Sequence, residues 1–157
     1  TLRWSLETLD NTVLAAGEEP VRAAPQATTH INLFDMVGHV TSDTRRNLIF
    51  VAELWQDERC AARQTAYFAA TKHLSLGDQQ VTTTCHADGD QLRVDLRGRS
   101  LARLVELSME GVDVVFSDNY FDLPAGRVVS VTCALPAGWS ERRAADALRV
   151  RSVFDSF

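Results

Sequence analysis

Apolar residues recur at every second position along much of this chain, a period that belongs to strands rather than helices. Leu2, Trp4 and Leu6 alternate with Arg3, Ser5 and Glu7. Leu92, Val94 and Leu96 alternate with Arg93, Asp95 and Arg97, and Leu148, Val150 and Ser152 with Arg149 and Arg151. Val81, Thr83 and Cys85 follow the same rule, as do Val129 and Val131, while Leu48, Phe50, Ala52 and Leu54 occupy alternate positions of a more apolar stretch. Successive side chains of a strand point to opposite faces, so this pattern describes half-buried antiparallel strands with one face toward a core.

Turn-forming residues separate the runs. Asp10 and Asn11 divide a strand at 2–9 from one at 12–15, and Asp88, Gly89 and Asp90 join 81–87 to 91–97 as a hairpin. Pro124, Ala125 and Gly126 precede a strand at 127–134, and Pro136, Ala137 and Gly138 follow it. All eight glycines fall near such breaks. Strand character continues at 74–76. Helical signals are short: residues 33–40, residues 99–104, and a segment from Ser140 to Leu148 that opens on a capping serine with Glu141 behind it. Short strands punctuated at this spacing predict an all-β fold of two tandem immunoglobulin-like antiparallel β-sandwiches, with roughly twelve to fourteen strands in total. The polar segment from Gly77 to Gln80 marks the boundary, giving domains at 1–79 and 80–157.

With 157 residues the chain is too short for an eight-stranded β/α barrel, which takes about 250. Apolar residues at 45% and charged residues at 24% suit a folded core. No apolar run approaches the roughly 18 residues that cross a membrane. The net charge of −5 is spread over both halves, so no basic patch exists for nucleic acid. Residue 1 is Thr, and both ends coincide with strand patterns; the expectation is a piece of a longer polypeptide without a visible signal segment.

Few residues offer chemistry. Cys60, Cys85 and Cys133 have no metal-ligand spacing, and their odd number argues against a disulfide framework. Cys85 and Cys133 both fall on predicted strands of the second domain, where they could be neighbours, and read as buried free thiols rather than a bridge; Cys60 sits in a turn-like polar context. His30, His39, His73 and His86 are scattered, so neither metal nor cofactor is called for. Glu53, Glu106 and Glu110 lie on or beside strands without an evident facing pair. Three aromatics are candidates for stacking on a sugar: Trp55 at the end of a strand, Tyr120, and Trp139 after a Pro-Ala-Gly turn. Trp4 shares the apolar face of its strand and belongs to the core. The most distinctive stretch runs from Phe116 to Gly126. Asp118 and Asn119 there have side chains suited to bonding backbone amides, Tyr120 carries a hydroxyl that needs a partner, and Phe121 and Leu123 can plug the end of a sandwich.

The sequence Ser-Asp-Asn-Tyr-Phe-Asp-Leu at 117–123 resembles the signature of the last immunoglobulin-like domain of β-mannosidases in family 2 of the glycoside hydrolases. Residues 104–108 and 111–116 resemble the strands leading into it. Residues 2–6 and 9–14 resemble the opening hairpin of the penultimate domain, and 48–54, 67–68 and 72–76 its closing strands. Asn11 departs from a glycine common in that hairpin, Ala70 and Thr71 from a nearby proline, and 124–127 from Leu-Pro-Gly-Glu. Asp118, Asn119, Tyr120 and Phe121 are the family's structural motif in this reading. The resemblance implies a retaining exo-β-mannosidase as parent, with two barrel glutamates whose carboxyls stand about 5–5.5 Å apart. The family's Asn-Glu acid/base pair is missing, since no Asn here is followed by Glu, and no catalytic residue is carried over. The expected role is non-catalytic support of the catalytic barrel domain of the same polypeptide. A carbohydrate-binding module for mannose-containing glycans and a tandem adhesion module are the alternatives. Unpaired thiols sit poorly with an oxidising compartment, which favours the cytoplasm.

Overall fold

The structure, a computed structural model, describes residues 1–22, 24–26, 28–31 and 34–156. Ten strands and one short α-helix are formed among them, fewer strands than the turn spacing predicts. The chain divides into two compact units, Thr1–Ser75 and Leu76–Phe157, so the polar segment from Gly77 to Gln80 lies just inside the second.

In the first unit β1 (Leu2–Thr8), β2 (Val13–Glu19), β3 (Leu48–Gln56) and β4 (Arg59–Tyr67) form one antiparallel sheet in the order β2-β1-β3-β4. The alternation in β1 puts Leu2, Trp4 and Leu6 on one face, opposite Leu54, Ala52 and Phe50 of β3. Trp4 is flanked by two small residues, Gly17 on β2 and Ala52 on β3. These leave room for the indole, which meets the rings of Phe34 at 4.6 Å and Phe50 at 6.0 Å between centroids. Gly17 is therefore not at a break. It lies inside β2, which runs four residues beyond the predicted 12–15. Leu6, Ile49, Val51 and Leu48 are almost wholly buried, and each such aliphatic side chain contributes about 1.5–3 kcal/mol. Asn11 turns the first hairpin at φ 75°, a left-handed conformation that Asn tolerates better than most residues.

The second unit has two three-stranded antiparallel sheets. One orders β5 (Thr82–Asp88), β6 (Gln91–Arg97) and β9 (Val128–Ala134) as β5-β6-β9; the other orders β7 (Ala102–Met109), β8 (Phe121–Leu123) and β10 (Leu148–Arg151) as β10-β7-β8. Their inner faces meet in one core. Leu92, Val94, Leu96, Val131 and Cys133 come from the first sheet, and Val105, Leu107, Met109, Leu123 and Leu148 from the second. Gly89, at φ 60°, and Asp90 close the β5–β6 hairpin as a two-residue loop, the connection whose twist suits paired strands. Helix α1 (Glu141–Ala147) forms as predicted. The Ser140 hydroxyl accepts from the Arg143 N–H at 3.3 Å, and Ala144 is buried in the core.

Three local predictions fail. Residues 99–104 form no helix: Leu101 and Ala102 enter the core and β7 bulges immediately after. Residues 74–76 form no strand, because the chain makes a tight turn at Thr71–His73 and then runs on without a ladder. Residues 111–116, which resemble a strand of the family, are likewise outside any ladder. Of 33–40, residue 33 lies outside the described residues, and the rest contains a single turn closed by His39 and Val40 N–H groups on the Met36 carbonyl.

Candidate functional site

The 117–123 motif is the corner that joins the two sheets of the second unit. Ser117 faces β9: its N–H donates to the Thr132 carbonyl at 2.7 Å, and its hydroxyl accepts from the Thr132 N–H at 2.9 Å. Asn119 faces β7 in the other sheet. Its Oδ1 accepts from the Leu107 N–H at 2.7 Å, and its Nδ2 donates to the Leu107 carbonyl at 2.9 Å. The register pairs Phe121 with Val105, so Leu107 would next meet the Asn119 main chain. The side-chain amide takes that place, since an amide carries one acceptor and one donor side, as a peptide does. Asp118 accepts from the Asn119 N–H at 2.8 Å. Phe121 packs against the core and Leu123 is fully buried.

Asp122, which the sequence reading passed over, holds the β7 bulge. Its Oδ1 accepts from the Leu104 N–H at 3.1 Å and from Arg103 Nε at 3.2 Å. Leu104 sits at φ 49° there, a region that costs an aliphatic residue about 1–2 kcal/mol. The bulge consumes residues 103 and 104 and explains why the alternation breaks where a helix was predicted. The signal available in advance was an acidic residue within a turn-rich motif, with nothing to indicate its partner.

The three aromatic candidates are not equivalent. Trp55 is half-buried in the first unit, with the Arg3 guanidinium 4.7 Å from its ring centre and its Nε1 donating to Glu53 at 3.4 Å. Trp139 packs against the core of the second unit and carries the Arg143 guanidinium at 4.4 Å. Both rings already have a cation on one face. Tyr120 is 60% exposed, lies at φ 60°, and donates its hydroxyl to Glu106 Oε1 at 3.2 Å. That hydrogen bond, with the carboxylate charge beside it, raises the Tyr120 phenol above its ordinary value. The phenol therefore keeps its proton, and the hydrogen bond, to a higher pH than an unpaired tyrosine would. Tyr67 is the one other tyrosine. In a Tyr67→Phe background, Glu106→Gln is expected to move the phenolate absorbance titration to lower pH; an unmoved curve would refute the contact.

The carboxylates do not form a glycosidase pair. Glu53 binds Arg63 Nε at 2.7 Å, Glu110 pairs with Arg149, and Glu106 holds Tyr120. Glu106 lies on β7 and Glu110 in the turn that follows it, each with a different partner. The cysteines are free, with Cys133 buried and Cys60 at the start of β4 rather than in a turn. Burial pushes all three thiols up. Among the described residues no three His, Cys, Asp or Glu side chains converge on a metal position, and no helix is long and apolar enough to cross a membrane.

Residues 76–156 match the mannosidase family described as an Ig-fold domain, and residues 1–73 match the family described as a mannosidase Ig/CBM-like domain. The chain belongs to the mannosidase Ig-fold family. The all-β, tandem immunoglobulin-like architecture expected from the alternation is thus the observed one. The β-D-mannosidase of Dictyoglomus thermophilum has the same fold over 97% of this chain, with a TM-score of 0.83 at 14% identity. The chain spans 18% of that protein's length. No curated protein matches at the sequence level. Among the described residues of this mannosidase Ig-fold pair no barrel is formed, and Ser117 and Asn119 of the motif bond the backbone of neighbouring strands.

Proposed function

We propose that these two units are the C-terminal accessory region of a β-mannosidase. The parent is a retaining exo-glycosidase that releases terminal β-D-mannose from oligosaccharides or glycans, and the units buttress its catalytic barrel. The observation that carries this reading is the order of the two mannosidase domain families, which occupy residues 1–73 and 76–156 head to tail. The fold agreement with a β-D-mannosidase of which the chain spans a minor part supports it. The barrel of the same polypeptide is the partner, and mannose-containing glycans are its substrates. The purified chain is expected to release 4-nitrophenol from 4-nitrophenyl β-D-mannopyranoside no faster than buffer. Saturable turnover abolished by a single carboxylate substitution would overturn the accessory role.

A further inference from the structure

We propose that the open cleft beside Tyr120 in the second unit binds one β-mannosyl residue, stacked on the Tyr120 ring and hydrogen-bonded to Arg151, Glu106 and Asp155. The cleft, about 480 Å³, is lined by Leu104, Glu106, Tyr120, Arg151, Ser152 and Asp155 among others, a volume typical of small-molecule sites. A β-mannopyranose presents one face of axial C–H bonds, which suits an aromatic ring. Its hydroxyls need donors and acceptors around the rim.

Tyr120 meets the first requirement. Among the described residues its ring carries neither a stacked aromatic nor a cation, in contrast to Trp55 and Trp139. The hydroxyl is tied to Glu106 and the backbone N–H to Asn119 Oδ1 at 3.2 Å, so the ring is held before any ligand arrives, which lowers the ordering cost of binding. Its backbone conformation is one that aromatic residues rarely adopt, yet with 60% of the residue exposed the ring gains little burial in return. Leu104, on the same cleft, combines the same two properties at φ 49° and 43% exposure. Strained, poorly buried side chains converging on one cleft point to a ligand rather than to packing.

The polar rim meets the second requirement. Glu106 uses Oε1 for Tyr120, leaving Oε2 as an acceptor. Asp155 uses Oδ2 for the Ser152 N–H and hydroxyl, at 2.7 and 3.0 Å, leaving Oδ1. Arg151 is exposed on β10 and makes no ion pair among the described residues, so its guanidinium can donate to two vicinal hydroxyls.

The choice of mannose over other hexoses rests on the β-mannosidase reading; the cleft's suitability for a sugar does not. Amide resonances of the 15N-labelled chain, titrated with methyl β-D-mannopyranoside, are expected to shift saturably at Tyr120, Glu106 and Arg151, with a Kd on the order of 1 mM. Tyr120→Asn removes the ring while tolerating the left-handed backbone, and should weaken binding at least tenfold with the thermal midpoint retained. Arg151→Ala should weaken it several-fold. No shifts, shifts elsewhere in the chain, or full affinity in both variants would overturn the site. Equal affinity for methyl β-D-glucopyranoside would overturn the assignment to mannose. Turnover by the chain, by contrast, would overturn the accessory role and leave these binding outcomes untouched.

Discussion

Asn119→Ala is expected to destabilise the second unit by about 2–4 kcal/mol, because it strips partners from both the N–H and the carbonyl of Leu107. Leu107 is 2% exposed, so water cannot readily replace the amide. An unmade hydrogen bond at a buried backbone group costs about 1–3 kcal/mol, and two are lost together. For a unit of this size the melting temperature should fall by about 10–20 °C. Asn119→Asp tests the mechanism more sharply. The carboxylate still accepts from the Leu107 N–H, but it cannot donate to the carbonyl and brings a charge against it. Aspartate should therefore recover little of the loss. Urea unfolding followed through Trp139, the second unit's single tryptophan, provides the reading. A loss below about 0.5 kcal/mol for Ala, the range of neutral surface changes, would mean that the amide is not the strand's substitute partner.

Gly17→Val is expected to cost the first unit about 2–3 kcal/mol. A Cβ at this position would lie 2.7 Å from Cε2, Cζ2 and Nε1 of Trp4. The indole has little room to retreat, because Phe34 and Phe50 stand against it. Gly17→Ala should destabilise in the same direction by less. Gly77→Ala is the control: nothing lies within 4 Å of its added carbon, and a change under about 0.5 kcal/mol is expected. Trp4→Leu shrinks the obstructing side chain, so the Gly17→Val penalty should largely vanish in the Trp4→Leu background, a coupling that a double-mutant cycle reads directly. If Gly17→Val unfolds at the parent's urea midpoint, the indole does not occupy the space assigned to it.

These two positions show how unevenly the structure was written in local pattern. Strands β6 and β10 were legible because each turns one face inward, and the burial of Leu92, Val94 and Leu96 is the alternation made physical. Strand β5 was legible from its hairpin with β6, since only Cys85 among its residues is partly buried. Strand β4 was not legible from its residues. It pairs with one neighbour at the sheet's edge, and its small and polar side chains need not alternate strictly. The 99–104 segment was misread as helical because its irregularity is a bulge sustained by Asp122, which lies 18 residues beyond Leu104. Asn119 was recognised as a residue that bonds backbone amides. The expectation was a turn, and the main partner is instead a strand residue 12 positions upstream.

The same division holds for function. From the residues alone came the all-β class, the hairpin at Gly89 and Asp90, the capped helix after Ser140 and the mannosidase resemblance of the 117–123 motif, because side-chain period, turn conformation and capping act over a few residues. Tertiary structure alone decided that Trp55 and Trp139 are covered by arginines while Tyr120 is open. It alone placed Glu106, Arg151 and Asp155 around that ring and set Gly17 against an indole. Those relations depend on which strands become neighbours, and strand pairing is settled by the burial of whole faces rather than by any short stretch of chain.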